Sequence, residues 1–268
     1  MKIRFGEPDT TWRQYGLEQY PIIFADGETP YKAIVRDGGL VRILGLGYEL
    51  FPNEEALKLA DQAAELAGLR PFSVGLAPGL RTEGHVIFSE GETRMRAIYT
   101  PGKIEKINGE EVNVGVYVYN SIDGSTSFGC GLFTFREICG NGVILGYEKI
   151  FQVKRIHTKG LSRVLEEMKA RMVLVMEKGL DIVESYRRMA QEKVTEKLVD
   201  RILKSRLSLK VLPDYITQEE VQLPDLSQWQ LYNDITELIW HNADAGLHTK
   251  TFQFNTLHRV IPLQVRRV

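Results

Sequence analysis

The sequence contains little cysteine and no long apolar run, and we expect no signal peptide at its start. Its 268 residues include two cysteines, Cys130 and Cys139, which are too few for a disulfide-stapled scaffold. A bridge between them is not implied, and two small buried apolar side chains are the favoured interpretation. The longest apolar runs, such as the one at 171–176, fall far short of the roughly 20 residues of a membrane-spanning helix. The start of the chain has no signal-peptide core, so we expect a cytoplasmic protein without a membrane partner.

The motifs of nucleotide, metal and hydrolase chemistry are absent as well. The glycine pairs Gly45/Gly47 and Gly140/Gly142 lack the further glycine or the Gly-Lys-Ser/Thr of a phosphate-binding loop. The sequence has no His-x3-His and no Cys-x2-Cys spacing for zinc, and no serine in a Gly-x-Ser-x-Gly turn. We therefore predict no cofactor and no metal ion, and we assign no catalytic residue from the sequence alone.

The charge is unevenly distributed along the chain. Residues 1–150 carry 15 Lys/Arg against 20 Asp/Glu, residues 151–210 carry 15 against 8, and residues 211–268 carry 4 against 7. The three segments therefore have net charges of −5, +7 and −3, which sum to the overall −1. Segregated positive charge favours an anionic partner for the middle segment. The alternative is an amphipathic helix that merely presents its charge to water.

The order of sequence patterns predicts an α+β fold in a single domain over 31–268, preceded by an irregular arm over 1–30. Asn108-Gly109 and Asp123-Gly124 mark hairpin turns, because these residues tolerate the positive φ that such turns require. Since helices do not alternate with strands, we expect an antiparallel meander and not a parallel sheet. The predicted strands are 31–37, 40–50, 84–89, 93–100, 111–120 and 125–135.

Helical patterns flank and follow this meander. An alanine-rich helix is predicted from Asn53 to Gly68. Apolar residues recur at steps of three and four over 161–209, with a phase change near Gly179 that favours a break into two helices. Ser227 and Gln230 have the spacing of a capping box and open a last helix over about 228–245, and the tail over 250–268 could add an edge strand. The predicted architecture is thus an antiparallel β-meander packed against a long, breakable helix and a C-terminal helix.

The basic helical stretch and an aromatic strand together suggest a site for a polyanion. A row of Lys and Arg can follow a phosphate backbone, and exposed aromatic rings can stack on bases. Tyr117 and Tyr119 alternate with valines on the strand 111–120 and are the candidate stacking rings, with burial in the core as the alternative. The candidate phosphate-binding residues are Arg136, Lys154, Arg155, Lys159, Arg163, Arg187 and Arg188.

Five short motifs occur in an order that resembles a known family. They are Tyr48-Glu-Leu-Phe-Pro-Asn-Glu-Glu-Ala56, Asn120-Ser-Ile-Asp-Gly-Ser125, Arg136-Glu-Ile-Cys-Gly-Asn141, His157-Thr158 and Leu231-Tyr-Asn-Asp-Ile-Thr-Glu237. In this order they resemble the phage/plasmid-like family catalogued as domain of unknown function 932, over about 31–245. The resemblance implies work on mobile-element DNA but no defined activity. At the level of architecture, a meander followed by a basic helix is also similar to RecT-like and Redβ-like single-strand annealing proteins.

The leading hypothesis is a cytoplasmic homo-oligomer that binds single-stranded DNA between the sheet and the long helix and promotes annealing without ATP, in recombination or replication. A second hypothesis is a nucleic-acid-processing enzyme in which Asp123, His157 and His241 converge. A third is an interaction or regulatory protein whose basic helix pairs with an acidic partner or another copy of itself. Retention of a labelled oligonucleotide across a salt series separates the first from the third.

Overall fold

The computed structural model describes residues 3–24, 27–73, 80–136, 141–144, 161–217 and 225–263. It has an α+β fold with antiparallel sheets. The strands are β1 (Arg4–Phe5), β2 (Leu17–Phe24), β3 (Gly27–Arg36), β4 (Gly39–Gly45), β5 (Arg70–Pro71), β6 (Arg81–Glu83), β7 (Val86–Phe88), β8 (Arg94–Thr100), β9 (Ile104–Ile107), β10 (Glu110–Ser121), β11 (Gly129–Arg136) and β12 (Asn141–Ile144). The helices are α1 (Asn53–Leu66), α2 (Leu161–Gln191), α3 (Glu196–Leu203), α4 (Asp214–Thr217), α5 (Gln228–His241) and α6 (Leu247–Val260).

The first sheet contains four strands in the order β1-β2-β3-β4. The prediction of an irregular arm over 1–30 is wrong for the described part, because β1, β2 and the start of β3 lie within it. Pro21 made a strand over β2 look unfavourable in the sequence, because proline has no backbone N–H to donate to the neighbouring strand. The pairing of β2 with β3 shifts register between Pro21 and Ile23, which accommodates the missing donor. A small core of Leu17, Ile34, Leu50 and Ile122 lies beneath this sheet.

The second sheet is the predicted antiparallel meander and is built around β10. Its order is β12-β11-β10-β8-β7-β6, with β5 added on β8 and β9 on β10. Both predicted turns adopt left-handed backbone, with φ of 53° at Asn108, 87° at Gly109 and 68° at Gly124. From Val112 to Ser121 every residue of β10 is buried, so both faces of this strand are covered. Strand β10 is therefore the centre of the main core.

Helix α2 lies directly against β10 and β11 and crosses residue 179 without a break. The predicted break at Gly179 is wrong, because the glycine serves close packing instead. A Cβ at this position would lie 2.7 Å from Val114 Cγ1 on β10, so a side chain here would collide with the sheet. The helix runs for 31 residues and ends at Gln191. The next helix, α3, follows a short connection and is capped by Thr195, whose hydroxyl accepts a hydrogen bond from the Leu198 amide at 3.3 Å.

Helices α5 and α6 close the C-terminal part of the core. The capping box of α5 is confirmed, since Ser227 and Gln230 each bond the backbone of the other. The predicted edge strand over 250–268 is wrong for the described residues, because α6 extends to Val260. Threonine is accommodated in α6 because its hydroxyl donates to the carbonyl four residues earlier in the helix. Thr251 Oγ1, for example, lies 2.7 Å from the Leu247 carbonyl oxygen. The buried residues Leu247, Phe254 and Leu257 lie on one face of α6 at helical spacing.

The contact between Gly179 and Val114 gives a first prediction. Alanine has a higher helix propensity than glycine by about 1 kcal/mol, but overpacking a core costs about 1–3 kcal/mol. Gly179→Ala should therefore lower the free energy of unfolding by up to about 2 kcal/mol in urea titrations. In a Val114→Ala background, which opens the space, the same change should be neutral or stabilising. An equal cost in both backgrounds would show that the two residues are not in contact.

The buried lysine of α6 gives a second prediction. Lys250 is 1% exposed, and its ammonium donates to the carbonyls of Trp240 and Asn242 at the end of α5. Lys250→Met keeps the volume but leaves these carbonyls unsatisfied, at a cost of about 1–3 kcal/mol in the free energy of unfolding. Lys204→Met is the control, because Lys204 is exposed and forms only a surface pair with Asp200. Equal losses in both variants would contradict a structural role for Lys250.

Candidate nucleic-acid interface

The two tyrosines predicted to stack on bases lie in the core. Tyr117 is 0% exposed and Tyr119 is 5% exposed, on the face of β10 opposite the valines that meet α2. Their rings lie over Gly131 and Gly129 of β11, where an added Cβ would come within 2.7 Å of either ring. The Arg96 guanidinium is also 5.3 Å from the centre of the Tyr117 ring. In this conformation neither ring offers a free face to a base.

The groove predicted between the sheet and the long helix is filled by side chains. Met168, Met172 and Val175 of α2 are buried in the same core cluster as Val114 and Leu132 of the sheet. The Tyr186 hydroxyl of α2 lies 3.0 Å from Thr134 Oγ1 on β11. A strand of nucleic acid cannot lie between the described parts of the helix and the sheet while they are packed in this way.

Arg136 occupies a network of carboxylates at the start of β10. Its side chain is 10% exposed, with Nη1 3.1 Å from Glu110 Oε2 and Nη2 3.5 Å from Glu237 Oε2. The same Glu110 oxygen accepts the Trp229 indole N–H at 3.0 Å. The guanidinium thus joins β11, β10 and α5. The charge of Arg136 is therefore already balanced by two carboxylates, Glu110 and Glu237, within the fold.

The network extends to a further carboxylate on α5. The Tyr215 hydroxyl donates to Asp234 Oδ2 at 2.6 Å. Burial, together with the nearby charges of Glu237 and Glu110, raises the pKa of Asp234 above its ordinary value. The described residues include no group of three or more His, Cys, Asp or Glu placed to hold a metal ion.

Arg187 and Arg188 begin a stretch of basic residues at the end of α2. From 187 to 210 there are eight Lys/Arg against three Asp/Glu, for a net +5. All of these cations except the half-buried Arg188 are exposed. We call this set the basic face: Arg187, Arg188, Lys193, Lys197, Arg201, Lys204, Arg206 and Lys210. Leu198, Val199 and Ile202 form the buried side of α3, which directs Lys197 and Arg201 outward.

Ion pairs divide the basic face into neutralised and available cations. Arg187 lies 3.1 Å from Glu105 and 3.6 Å from Glu184. Lys193, Lys204 and Lys210 each pair with an aspartate. Within the described ranges, Lys197, Arg201 and Arg206 have no such carboxylate partner. The charge available to an external anion is therefore greatest along α3 and just after it, which regional charge counts alone could not show.

Several predicted residues fall outside the description. Lys154, Arg155 and Lys159 lie outside the described residues, as do His157 and Cys139. Arg163 belongs to α2, but its side chain is not described. The phosphate contacts predicted for Lys154, Arg155, Lys159 and Arg163 stay predictions.

The described contacts of Asp123 are those of a turn residue. Arg94 Nε and Nη2 each lie 3.2 Å from Asp123 Oδ2, and the Ser125 amide donates to Oδ1 at 2.9 Å. Burial opposes ionisation, but these hydrogen bonds and the charge of Arg94 outweigh it and lower the pKa of Asp123. His241 is exposed at the end of α5 and is not among these contacts, so the two residues do not form a catalytic pair here.

Comparison with known protein families shows to which family the chain belongs. The family model described as Domain of unknown function (DUF932) matches residues 42–260. The chain belongs to the DUF932 family. No curated protein and no solved structure gave a match. None of the helices in the described part of this DUF932 domain combines the length and apolar character needed to cross a membrane.

Four of the five motifs that carry the family resemblance have residues at the two ends of β10 in this DUF932 domain, and the fifth, His157-Thr158, lies outside the described residues. At the Ser121 end, Asn120 Nδ2 donates to the Phe51 carbonyl and to Asn53 Oδ1, both at 2.9 Å. The Tyr48 hydroxyl donates to the Ser121 carbonyl at 3.1 Å. These bonds tie the start of α1 to the end of β10. At the Glu110 end, the motifs containing Arg136 and Glu237 meet in the carboxylate network described above.

The position of Arg136 gives a third prediction. Arg136→Met should lower the free energy of unfolding by about 2–4 kcal/mol, because it leaves the half-buried Glu110 without its cation. Glu237→Gln is the matched control on the same guanidinium and should cost about 1 kcal/mol or less, since Glu237 is 42% exposed. Denaturant titration of both variants measures the difference. An Arg136→Met variant as stable as wild type would contradict the joining role.

Proposed function

We propose that this DUF932 domain binds nucleic acid, most specifically single-stranded DNA, through the basic face. The observation that carries the proposal is the net +5 over 187–210 on exposed side chains, with three cations in α3 and just after it that lack a described carboxylate partner. Cations in this arrangement attract a phosphate backbone and release its counterions.

The burial of Tyr117 and Tyr119 changes the expected mode of binding. With these rings in the core, phosphate contacts supply the affinity without base stacking by either ring. Binding of this kind depends steeply on salt and little on sequence. It suits a protein that coats or pairs strands without reading them, such as an annealing protein of a phage or plasmid that needs no ATP. That biological setting is supported by the motif resemblance alone.

Assembly into a homo-oligomer is part of the same proposal. Strand β4 lies at one edge of the first sheet in the described chain, and its Leu40 and Ile43 are 62% and 51% exposed. Its sequence, Gly-Leu-Val-Arg-Ile-Leu-Gly, has nearly the same apolar pattern in both directions. A second copy could therefore add antiparallel with like residues facing like, which is one route to a continuous sheet across two subunits.

The basic face gives a fourth prediction. The triple variant Lys197→Gln/Arg201→Gln/Arg206→Gln should weaken binding of a labelled oligo-dT. Because single-strand binding contributes a slope of about −0.7 per phosphate contact, its log–log salt slope should become shallower by about 2. Fluorescence anisotropy across a salt series measures both quantities. Duplex DNA and RNA of equal length establish the preferred strand, and the solution mass of the same samples gives the assembly state.

A charge-matched control separates this surface from general electrostatics. Lys58→Gln/Lys103→Gln/Lys106→Gln removes the same charge from α1 and the region of β9, where the three side chains are 63%, 69% and 72% exposed. This variant should keep the wild-type slope. Equal losses in both triple variants, or no wild-type binding at about 50 mM salt, would overturn the proposal.

A further inference from the structure

The basic face surrounds a cavity that contains two arginines from different helices. The cavity has a volume of about 210 Å³ and lies between the end of α2, α3, the start of α5 and the residues just after α6. Arg188 of α2 and Arg201 of α3 both line it. Cations from two separately anchored helices, converging on one concave space, are the usual means of binding a compact anion.

The rest of the lining defines which anion fits. Ser185 and Gln228 add a hydroxyl and an amide, and among the described lining residues two arginines face one carboxylate, Glu192. Arg188 Nη2 lies 3.4 Å from Ser185 Oγ, which places its guanidinium beside that hydroxyl. Two guanidinium groups match the oxygens of a phosphate better than they match a monovalent halide, because the planar fork donates in parallel pairs.

The lining also includes apolar side chains. They are Met189, Leu198, Ile261 and Pro262, and they favour a ligand with an uncharged part beside its anionic group. A phosphate attached to a sugar or a base has both parts, whereas inorganic phosphate would leave the apolar side chains without a contact. A volume of about 210 Å³ is too small for a nucleoside on each side of a phosphate, so the cavity suits an end group better than a phosphate in the middle of a strand.

We propose that this cavity binds a terminal phosphate monoester of a nucleotide, with Arg188 and Arg201 on the phosphate. The ligand is either a free mononucleotide or the phosphorylated end of an oligonucleotide. The second form rests on the proposed function, because it adds an end-binding subsite to the basic face. The first form does not depend on it.

The test compares oligo-dT carrying a 5′-phosphate, a 3′-phosphate or hydroxyls at both ends, with dTMP and inorganic phosphate titrated separately. We expect wild type to bind one of the phosphorylated oligonucleotides about tenfold more tightly than the unphosphorylated one, and to bind dTMP more tightly than inorganic phosphate. Arg201→Met should remove both preferences. Lys197→Met, one turn earlier on α3 and outside the cavity lining, should weaken all oligonucleotides equally and keep the preferences.

The possible results separate this inference from the proposed function. If dTMP binds and Arg201→Met abolishes it while no oligonucleotide binds, the cavity is confirmed as a free-nucleotide site and the proposed function fails. If oligonucleotides bind without an end preference and dTMP does not bind, the cavity inference fails and the proposed function stands. If Arg201→Met is unfolded by circular dichroism, Arg188→Met provides the same comparison. A preference unchanged in both folded variants would also overturn the inference.

Discussion

Helix α2 can lie against β10 because residue 179 has no side chain, and the rest of the structure depends on that contact. A Cβ would lie 2.7 Å from Val114, so any other residue would push a 31-residue helix away from the strand. The close approach buries the valine face of β10 and leaves no groove between helix and sheet. The same helix carries Arg187 and Arg188 close to its end at Gln191, so the start of the basic face is anchored to the core.

Charge in this molecule has two distinct uses that the sequence does not separate. At the Glu110 end of β10, Arg136 lies among carboxylates and connects three elements, where its loss would leave buried charge uncompensated. On α3, Lys197 and Arg201 are exposed and lie outside the buried set of Leu198, Val199 and Ile202. A net positive segment therefore overstates the surface available to an anion, since paired arginines are counted with available ones. Burial and ion pairing, not charge counts, distinguish the two uses.

Local patterns predicted those parts of the fold that local chemistry determines. The hairpin turns at Asn108-Gly109 and Asp123-Gly124, the alternation of β10 and the capping box at Ser227 were all readable, because each depends on neighbours in the chain. The strand containing Pro21 and the threonine-bearing α6 were missed, since tertiary packing overrode the propensity of single residues. Gly179 was misread for the same reason, as its partner Val114 is distant in sequence. The alternation of residue types along β10 also predicted that Tyr117 and Tyr119 lie on the same face of the sheet. It could not predict that this face is buried.

The thiol of Cys130 lies on the face of β11 opposite the glycines that support the tyrosine rings. Cys130 is 0% exposed, and burial raises the pKa of its thiol to about 12. Alkylating reagents act on the thiolate, so this cysteine reacts when the core around β11 opens. The alkylation rate of Cys130 therefore reports how often the central strands open, and it can be measured under native conditions without denaturant. The protein thus contains an intrinsic probe for whether ligands on its surface stabilise the core beneath them.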